Sequence, residues 1–380
     1  MLRVPQKEFE KPNMKFPPAW KIKREWRYFR NKIASPVRAF VEPFRLRNWD
    51  GRRKRKIKSW PGRQDIRKDV AIFVIYQRRC VPDSVLMTMQ TLVDGGFSVL
   101  VVSNSRFSRR DLEKLKSLAW TILQRPNLGY DFGAYRDGLW FLQSQGIGTN
   151  SLLFLNDTVF FPVRSGDKAL EVLMNRPEDY VGLTDGIFHE DARAFTDDWR
   201  ETLHVTSYFF LVRGAALKSK AFRDYWDRYQ MSSQKWETVR RGEVGFFEAM
   251  HKAGFAHWVL LKKEDILENL KSLDTAELLT LARNVQTVQA DVRSDWRQFL
   301  DGLSTGAPNR SEILQHLSRV IQVTNTTDII PYDGIRLLNF PMLKKTAIRR
   351  HQSRESVLNQ IEGDDLQIHP QILAELRVLD

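Results

Sequence analysis

Hydrophobic and polar positions follow two alternating patterns between residues 69 and 262. Apolar runs of strand length are separated by stretches whose apolar residues recur at helical spacing. Continuous apolar runs are typical of parallel strands buried on both faces, and the intervening helices cover them. The pattern therefore predicts an α/β fold with a mostly parallel sheet between helix layers. The predicted strands are residues 70–76, 98–103, 119–123, 151–155, 180–184, 205–212 and 257–261.

The pattern changes after residue 262, where strands give way to Leu-rich stripes at helical spacing. We therefore expect a helical C-terminal region over residues 263–343, with a short extended piece at 335–340. Pro341 and the Lys344-Lys345 pair indicate a boundary, and the polar tail over 344–380 is expected to be loosely held. The predicted helices are residues 265–273, 275–288, 292–303 and 311–321.

Basic residues are concentrated in an N-terminal arm, residues 1–66. The whole chain has a net charge of +14, and residues 1–68 hold 22 Lys and Arg against 6 Asp and Glu, so the remainder is close to neutral. Within the arm, apolar residues recur at helical spacing among Lys and Arg: Ile22, Trp26, Phe29 and Ile33.

A cationic helix with an aromatic stripe is typical of helices that lie in a membrane interface, and a nearby polybasic cluster adds attraction to anionic lipid. We therefore expect residues 20–58 to bind an anionic membrane surface. Two alternatives stay open: the stripe packs on the protein's own body, or the charge binds nucleic acid. No nucleic-acid-binding module accompanies the charge, so a nucleic-acid partner is not expected.

Composition narrows the class and the compartment of the protein. One cysteine, Cys80, excludes a disulfide-stabilised scaffold and fits a reducing compartment. No apolar run approaches the roughly 18 residues that a membrane-spanning helix needs. Together with the basic arm, this predicts a cytoplasmic protein bound peripherally to the inner face of the cell membrane.

The candidate chemistry lies in residues 124–162. A glycine-punctuated segment, Q-R-P-N-L-G-Y-D-F-G-A-Y-R-D-G-L, leads into a helix, and the next strand ends at Asn156-Asp157-Thr158. Ligands of open α/β sheets bind beyond the carboxyl ends of the strands. An acidic residue at that position is suited to hold a metal ion or a charged substrate.

These motifs resemble those of two related groups of glycosyltransferases. Many inverting nucleotide-sugar glycosyltransferases share the spacing of the glycine segment, although Asp137 stands here where a second Asn is usual. The rhamnan synthesis F family of polysaccharide glycosyltransferases is more similar. It shares N-x-G-Y-D-F-G-A-Y-R-x-G-L over 127–139, L-N-D-T-x-F-x-P over 155–162 and H-x-x-S-Y-F over 204–209. The resemblance covers roughly residues 69–262 and implies an A-type glycosyltransferase fold, with a nucleotide-sugar glycosyltransferase domain over 67–262.

The resemblance implies a donor site around the glycine segment and the strand ends. Asp131 has an alternative role as a helix cap, and the glycines have one in a tight start to the helix. Tyr76, at the end of the first predicted strand, is expected to contact the base and ribose of the donor. Asn104, after the second predicted strand, is a further expected contact. The expected donor-binding residues are Tyr76, Asn104, Asn127, Gly129, Asp131, Gly133, Asp137 and Asn156.

A divalent cation, Mg²⁺ or Mn²⁺, is the expected cofactor, because it would neutralise the leaving diphosphate. Asp157 is its natural ligand, and Thr158 stands where such enzymes often have a second acid. The alternative is that Asp157 caps a turn. The N-D-T motif supplies one carboxylate, whereas the usual D-x-D motif supplies two.

The general base should be a carboxylate on the acceptor side. We expect Glu243, because it opens a predicted helix after a glycine late in the domain, although a carboxylate there also favours a helix N-terminus. His204 opens the third motif as an acceptor or metal contact, or as a hydrogen-bonded structural residue. Carboxylates in predicted loops form a reserve: Asp185, Glu190, Asp191, Asp197 and Asp198.

The resemblance implies an enzyme that transfers a sugar, rhamnose or another deoxyhexose, from a nucleotide-sugar donor. The acceptor would be a growing surface polysaccharide or a lipid-linked glycan, and inversion is expected because one base suffices. The alternative is a non-catalytic partner in glycan assembly at the membrane surface. The single carboxylate of the N-D-T motif is the main argument for that alternative.

Overall fold

The structure is a computed structural model that describes residues 41, 44, 48–188, 203–285, 290–303, 309–349, 358, 361 and 366–378. The chain divides into two compact units, one up to Arg52 and one from Arg53 onward. None of the helices in the described part has both the length and the apolar character to cross a bilayer. The helical stripe expected from Ile22 to Ile33 lies outside the described residues, as do Glu190, Asp191, Asp197 and Asp198.

A nine-stranded sheet organises the unit that begins at Arg53. The strands lie in the order β1-β4-β3-β2-β5-β9-β7-β10, and β8 pairs with β7 beside this path. Two further short strands, β6 (Val159–Phe160) and β11 (Leu343–Lys344), pair separately and antiparallel. The strands of the large sheet are β1 (Lys58–Pro61), β2 (Asp69–Ile75), β3 (Ser98–Ser103), β4 (Thr121–Gln124), β5 (Ser151–Asn156), β7 (Tyr180–Ile187), β8 (Leu203–Val205), β9 (Phe209–Arg213) and β10 (His257–Leu261).

Most of the sheet is parallel. β4, β3, β2 and β5 run in one direction, and β7 and β10 form a second parallel pair. β9 is antiparallel to both β5 and β7 and therefore joins the two sets. β1, β8 and β9 are the antiparallel strands of this sheet in the described part of the chain.

Along the chain, helices lie between the strands of the large sheet, and further helices follow its last strand, β10. A π-helical turn over Val239–Val244 joins two of them. The helices are α1 (Asp83–Asp94), α2 (Arg109–Lys116), α3 (Tyr130–Ser144), α4 (Ala169–Met174), α5 (Gly214–Lys218), α6 (Lys220–Arg228), α7 (Lys235–Thr238), α8 (Gly245–Lys252), α9 (Lys263–Ser272), α10 (Thr275–Asn284), α11 (Ala290–Gly302), α12 (Arg310–Val323), α13 (Thr326–Ile329), α14 (Pro331–Leu338), α15 (Lys345–Arg349) and α16 (Pro370–Val378).

The two faces of the sheet are covered by different helices. On β2, Phe73 and its alternate neighbours lie in one buried cluster with Met89 of α1. On the opposite face, Gly138 of α3 lies so close to Ile72 that an added Cβ would be 2.8 Å from its side chain. Because successive strand residues point to opposite faces, this alternation buries β2 completely. The mostly parallel sheet between helix layers that the sequence predicted is confirmed.

The strand order reverses between β2 and β5. From β2 the chain moves outward to β3 and β4, and it then returns to place β5 on the other side of β2. A reversal of this kind leaves a crevice at the carboxyl ends of the two strands, which is where open α/β sheets bind ligands. Here those ends are Ile75 and Asn156.

Several expected boundaries differ from the structure. The run predicted as one strand over 205–212 is divided into β8 and β9 by a turn at residues 206–208. Residues 335–340 were expected to be extended, but α14 covers most of them, with Pro331 in its first turn. The arm expected over 1–66 contains β1, which pairs with β4 and therefore belongs to the sheet.

The described part of the tail after residue 344 is packed, contrary to the expectation that it is loosely held. The expected boundary between residues 343 and 344 falls inside β11, which pairs with β6. In α16, Ile372 and Leu376 are buried in the cluster that the C-terminal helices form. Glu375 of the same helix accepts hydrogen bonds from Ser84 of α1 and, at 2.8 Å, from Lys345. Buried apolar contacts and a partly buried ion pair therefore fix these residues to the body.

Candidate active site

A cavity of about 690 Å³ opens at the crevice where the strand order reverses. Its walls come from the ends of β2, β3 and β5, the start of α3, the turn between β8 and β9, the π-helical turn and the C-terminal region. A cavity of this size is typical of small-molecule sites. Nine of the twelve predicted site residues line it: Tyr76, Asn104, Asn127, Asp131, Asn156, Asp157, Thr158, His204 and Glu243.

Asp157 lies directly after β5 and bridges the crevice to β2. Its backbone N–H donates to Val74 at 3.0 Å, and its Oδ2 accepts from the backbone N–H of Tyr76 at 2.8 Å and from Gln77 Nε2 at 2.5 Å. Burial raises the pKa of Asp157, and Lys345 and these hydrogen bonds act against that rise. One carboxylate oxygen is thus fixed by the protein, while Oδ1 has no hydrogen bond described.

Asn156 and Thr158 are engaged with each other on either side of Asp157. Asn156 Oδ1 accepts from both the backbone N–H, at 3.1 Å, and the hydroxyl of Thr158. No group of three or more His, Cys, Asp and Glu side chains suited to a metal occurs in the described part of the chain. The donor set fits a hard cation that takes Asp157 Oδ1 and the Thr158 hydroxyl oxygen and keeps several water ligands, as Mg²⁺ often does.

Asp131 lies in the first turn of α3, as expected from the sequence. Its Oδ1 accepts from the backbone N–H of Phe132 at 3.0 Å, and its Oδ2 accepts from Asn156 Nδ2 at 3.0 Å. Burial, followed by the charge of Glu243, raises the pKa of Asp131 to about 6. This carboxylate therefore changes its charge close to neutral pH.

Glu243 faces the same cavity together with two residues of the third motif. Its Oε1 lies 2.9 Å from His204 Nε2, and its Oε2 accepts from the hydroxyl of Ser207. Burial raises the pKa of Glu243, but the hydrogen bond and charge of His204 and the hydrogen bond of Ser207 outweigh burial, so the net pKa is lowered. An ionised carboxylate only accepts, and His204 Nε2 therefore carries the proton.

Glu243 does not open a helix, which corrects the expectation from the sequence. It lies within the π-helical turn over Val239–Val244, between α7 and α8. Gly242 packs beneath it so closely that an added Cβ would be 2.6 Å from the ring of Phe132. π-helical turns inside helices are frequent at functional sites. This turn directs Glu243 toward the cavity.

Three expected donor-binding residues do not line the cavity. Asp137 is fully buried and accepts from Arg125 Nε at 2.5 Å, so its carboxylate holds the fold together. Gly129 has a φ of 74° and an added Cβ would lie 2.7 Å from Met231, while a Cβ at Gly133 would collide with the carbonyl oxygen of Leu128. Both glycines are therefore explained by the tight start of α3.

Asn104 and Tyr76 both line the cavity, but the Asn104 side chain is hydrogen-bonded within the fold, whereas the Tyr76 ring is partly exposed. Asn104 donates to the carbonyl oxygen of Tyr130 at 3.1 Å and accepts from Arg125 at 2.6 Å, so its amide holds the start of α3. Tyr76 is 40% exposed, and its ring lies 5.3 Å from the guanidinium of Arg78. An exposed aromatic face at the end of β2 is suited to stack on a base.

Asp185, the described member of the reserve carboxylates, does not line the cavity. It follows Thr184 in β7, and its Oδ2 accepts from the backbone N–H of Lys263 at 3.0 Å. Burial raises the pKa of Asp185 to about 6. Its position supports the junction between the sheet and α9.

The C-terminal region contributes cavity residues that the sequence did not indicate. Asn325 accepts from the backbone N–H of Ile187 at 2.8 Å, and Thr327 lies 3.3 Å from the hydroxyl of Tyr208. No motif marks these positions, because short helices and a two-residue strand bring them to the cavity. The additional lining residues of this region are Asn325, Thr327, Asp328, Lys344 and Thr346.

Solved structures of two mannosyltransferases are similar to the chain. Core-mannan synthase A of Aspergillus fumigatus, in its Mn/GDP form, is 11% identical over 52% of this chain and 74% of its own, with a TM-score of 0.30. The mannosyltransferase PcManGT of Pyrobaculum calidifontis, in complex with GDP-Man and Mn²⁺, is 12% identical over 91% of this chain and 89% of its own, also with a TM-score of 0.30.

Two comparisons at the level of sequence also match the chain. Protein y4gN of Sinorhizobium fredii, a protein described as uncharacterized, is 28% identical over 304 residues, which are 80% of this chain and 76% of the relative. The family model described as "Rhamnan synthesis protein F" matches residues 99–284, from β3 to the end of α10. This span includes all three motifs found in the sequence. The match covers 186 of the 380 residues, and over residues 99–284 the chain is similar to the family described as rhamnan synthesis protein F.

Proposed function

We propose that the protein transfers a deoxyhexose, with rhamnose first among the candidates, from a nucleotide-sugar donor to a growing surface polysaccharide or lipid-linked glycan. One observation carries the proposal. The cavity at the strand reversal collects residues from all three family motifs, including Asp131, Asp157 and Glu243. The family description supports rhamnan synthesis as the setting and rhamnose as the first sugar to test.

In the proposed reaction, an acceptor hydroxyl attacks the anomeric carbon of the donor sugar. The new bond joins the acceptor oxygen to that carbon, and the bond from the carbon to the phosphate oxygen breaks. The nucleoside diphosphate leaves with the bonding electrons, and Glu243 takes the proton of the hydroxyl. A single displacement inverts the configuration of the anomeric carbon.

His204 and Ser207 hold Glu243 for this role. Both carboxylate oxygens accept a hydrogen bond, which fixes the side chain at the edge of the cavity. Each carboxylate oxygen has further lone pairs and still accepts from a substrate hydroxyl. As the proton arrives at Glu243, the neighbouring imidazole keeps the side chain in place.

Asp157 would hold a divalent cation through Oδ1, with Thr158 adding a hydroxyl oxygen. The cation, when bound, supplies positive charge to the leaving diphosphate. Tyr76 N–H and Gln77 fix Oδ2, so the carboxylate cannot rotate away from the crevice. Tyr76, Asn127 and Asp131 would contact the base, ribose or sugar of the donor.

Calorimetric titration with a panel of nucleoside diphosphates and nucleotide sugars tests the proposal. The titrations use the full chain with Mg²⁺, with Mn²⁺ and with EDTA. The matched variant is Asp157→Asn, which can still accept from Tyr76 and Gln77 but has no charge. We expect one nucleotide to bind, and its affinity to fall by at least about tenfold with EDTA or in the variant, since charge-assisted contacts contribute about 1.5–3 kcal/mol.

The outcomes separate the candidates. Binding that is indifferent to EDTA and to Asp157→Asn keeps the transferase and removes the metal. Product analysis with the donor that binds then identifies the sugar, and the anomeric configuration of the product shows whether the reaction inverts. No binding of any nucleotide would favour the non-catalytic partner in glycan assembly, for which the single carboxylate of the N-D-T motif is the supporting observation.

A further inference from the structure

The C-terminal segment over residues 343–346 reaches the candidate active site, although it lies outside the family match. β11 pairs with β6 immediately after the N-D-T motif, and Lys344 is opposite Val159 in that register. The backbone N–H of Lys345 donates to the carbonyl oxygen of Thr158 at 2.9 Å. Backbone pairing therefore fixes Lys344 beside the end of β5.

The side chain of Lys344 lines the cavity in a defined position. Its Nζ donates to Asp328 Oδ2 at 3.0 Å and lies 5.2 Å from the centre of the Tyr208 ring. The side chain is 18% exposed, so most of its length is removed from bulk solvent. An ammonium group has three N–H donors, and the ion pair with Asp328 uses one of them.

The adjacent lysine gives a direct comparison. Lys345 does not line the cavity, and its Nζ donates to Glu375 of α16 at 2.8 Å. The two side chains therefore have different surroundings: Lys345 fastens α16 to the body, whereas Lys344 faces the ligand space. A purely structural role for Lys344 would not require its side chain to line the cavity.

We propose that Lys344 binds the diphosphate of the nucleotide donor, so that the C-terminal region supplies part of the charge that neutralises the leaving group. This inference rests on the proposed function. The N-D-T motif provides one carboxylate for a cation, and a lysine at the same strand end adds positive charge directly. Lysine is a common phosphate ligand because its compact charge approaches phosphate oxygens without a fixed geometry.

The ion pair with Asp328 is the main alternative explanation of Lys344, and a variant of each partner separates the two. Lys344→Gln removes the cation, and Asp328→Asn removes the same ion pair but keeps the cation. If Lys344 only fastens β11 to α13, both variants should affect ligand binding and thermal unfolding alike. If Lys344 binds diphosphate, Asp328→Asn retains diphosphate affinity or increases it.

The experiment measures the dissociation constants of the nucleoside diphosphate, the monophosphate and the nucleoside that bind the wild-type full chain. We expect Lys344→Gln to weaken diphosphate binding by about tenfold to a hundredfold, as for other hydrogen bonds to charged groups. Nucleoside binding should change less than twofold, and Lys344→Arg should restore much of the loss. Lys271→Gln, in an exposed ion pair with Glu268 on α9, is the matched control and should bind as wild type does.

Each result has a distinct meaning. Equal diphosphate affinity in wild type and Lys344→Gln overturns the inference and leaves the proposed function intact. Equal weakening of the nucleoside and the diphosphate, or equal weakening in Asp328→Asn, shows a structural role and also overturns it. If the wild type binds no nucleotide, the proposed function fails and the inference fails with it.

Discussion

Asp131 and Glu243 line the same cavity, and their surroundings shift their pKa values in opposite directions. Burial and the nearby charge of Glu243 raise the pKa of Asp131 to about 6. For Glu243, the contacts with His204 and Ser207 outweigh burial and lower the pKa. Pairs of acids that are separated in this way take different roles. Glu243 stays ionised over the usual assay range, whereas Asp131 changes its charge within it.

The first prediction concerns the pH dependence that Asp131 confers. Because the pKa of Asp131 is raised to about 6, the carboxylate is protonated below that pH. It then accepts fewer hydrogen bonds from the hydroxyl groups of the nucleotide sugar. We expect kcat/KM to fall on the acidic side with a midpoint near pH 6, and by about tenfold at pH 5, which follows from a single titration. The measurement is a pH–rate profile of wild type and Asp131→Asn.

Asp131→Asn should lower the rate at pH 8 and remove the acidic limb, because the amide does not titrate. An unchanged limb near pH 6 in the variant would assign the titration to another group. Glu243 is the acid whose charge acts on Asp131, and its lowered pKa places its own protonation at a lower pH than that of Asp131.

The second prediction concerns Glu243 as the base. Glu243→Gln keeps the size of the side chain but cannot take the proton. We expect kcat to fall by about 10²- to 10⁴-fold, the usual contribution of general base catalysis, while the affinity for the nucleotide changes little. Glu248→Gln is the matched control, because Glu248 is exposed on α8 and pairs with Lys252. A Glu243→Gln enzyme with near-normal kcat would exclude this residue as the base.

At the scale of elements, the start of α3 is fastened by a buried arginine. Arg125 donates to Asp137 at 2.5 Å, to Asn104 at 2.6 Å and to the carbonyl oxygen of Leu128 at 2.6 Å. These bonds connect the ends of β3 and β4 to the loop before α3. The loop in turn positions Asp131 in the cavity.

The third prediction tests this arrangement. Asp137→Asn leaves the charge of Arg125 buried and uncompensated, and we expect the free energy of unfolding to fall by about 3–5 kcal/mol. Chemical denaturation measures the loss. Glu113→Gln, which breaks an exposed pair with Arg63, should cost less than about 1 kcal/mol. If Asp137→Asn instead keeps its stability but loses donor binding, the residue contacts the donor as the family motif first implied.

The sequence predicted the parallel strands well, because burial on both faces leaves continuous apolar runs. Residues 98–103 were predicted as β3 without error, and β2 was displaced by one residue. The run from 205 to 212 is also apolar, yet the chain leaves the sheet at the turn between β8 and β9. Nothing in the local pattern indicates that turn, which exposes Ser207 to Glu243.

The role of Asp137 also could not be predicted from the local sequence pattern. Its place in the motif suggested a ligand contact, and only the tertiary structure shows Arg125 beside it. Asp131 and Asp157 do line the cavity, and their positions follow from local rules: one starts a helix and the other follows a buried parallel strand. Long-range partners such as Lys344 have no local signal.

At the scale of the whole molecule, the C-terminal region is part of the same compact unit as the sheet. One side of the cavity is lined by Asn325, Thr327, Asp328, Lys344 and Thr346, and α16 packs against α1. The family match ends at residue 284, so these contacts lie beyond it. The described tail therefore supports the cavity indirectly, through Lys345 and β11.

The fourth prediction measures how firmly the tail is held. Leu376 in α16 is 1% exposed, and Leu376→Ala should lower the free energy of unfolding by about 2–5 kcal/mol. Val378 in the same helix is 72% exposed, so Val378→Ala is the matched control and should change it by less than about 0.5 kcal/mol. Equal, small effects in both variants would show that α16 contributes little, and the expectation of a loosely held tail would stand.

The last prediction concerns the basic arm, for which the sequence leaves two main roles. If the stripe lies in a membrane interface, its aromatic side chains insert among lipids and the surrounding Lys and Arg attract anionic headgroups. If the stripe packs on the protein, the same side chains stabilise the fold. The double variant Trp26→Ser and Phe29→Ser separates these roles in the full chain, because it removes apolar surface and leaves the net charge of +14 unchanged.

We expect the double variant to bind vesicles with anionic lipid at least about a hundredfold more weakly at moderate salt, since burial of each of the two large side chains contributes about 1.5–3 kcal/mol. Its affinity for the nucleotide and its free energy of unfolding should equal those of wild type. Deletion of residues 1–52, which keeps β1, should have the same effect on vesicle binding or a larger one. A variant that unfolds more easily but binds vesicles normally would assign the stripe to the fold, and binding to duplex DNA that survives in competition with vesicles would assign the charge to nucleic acid.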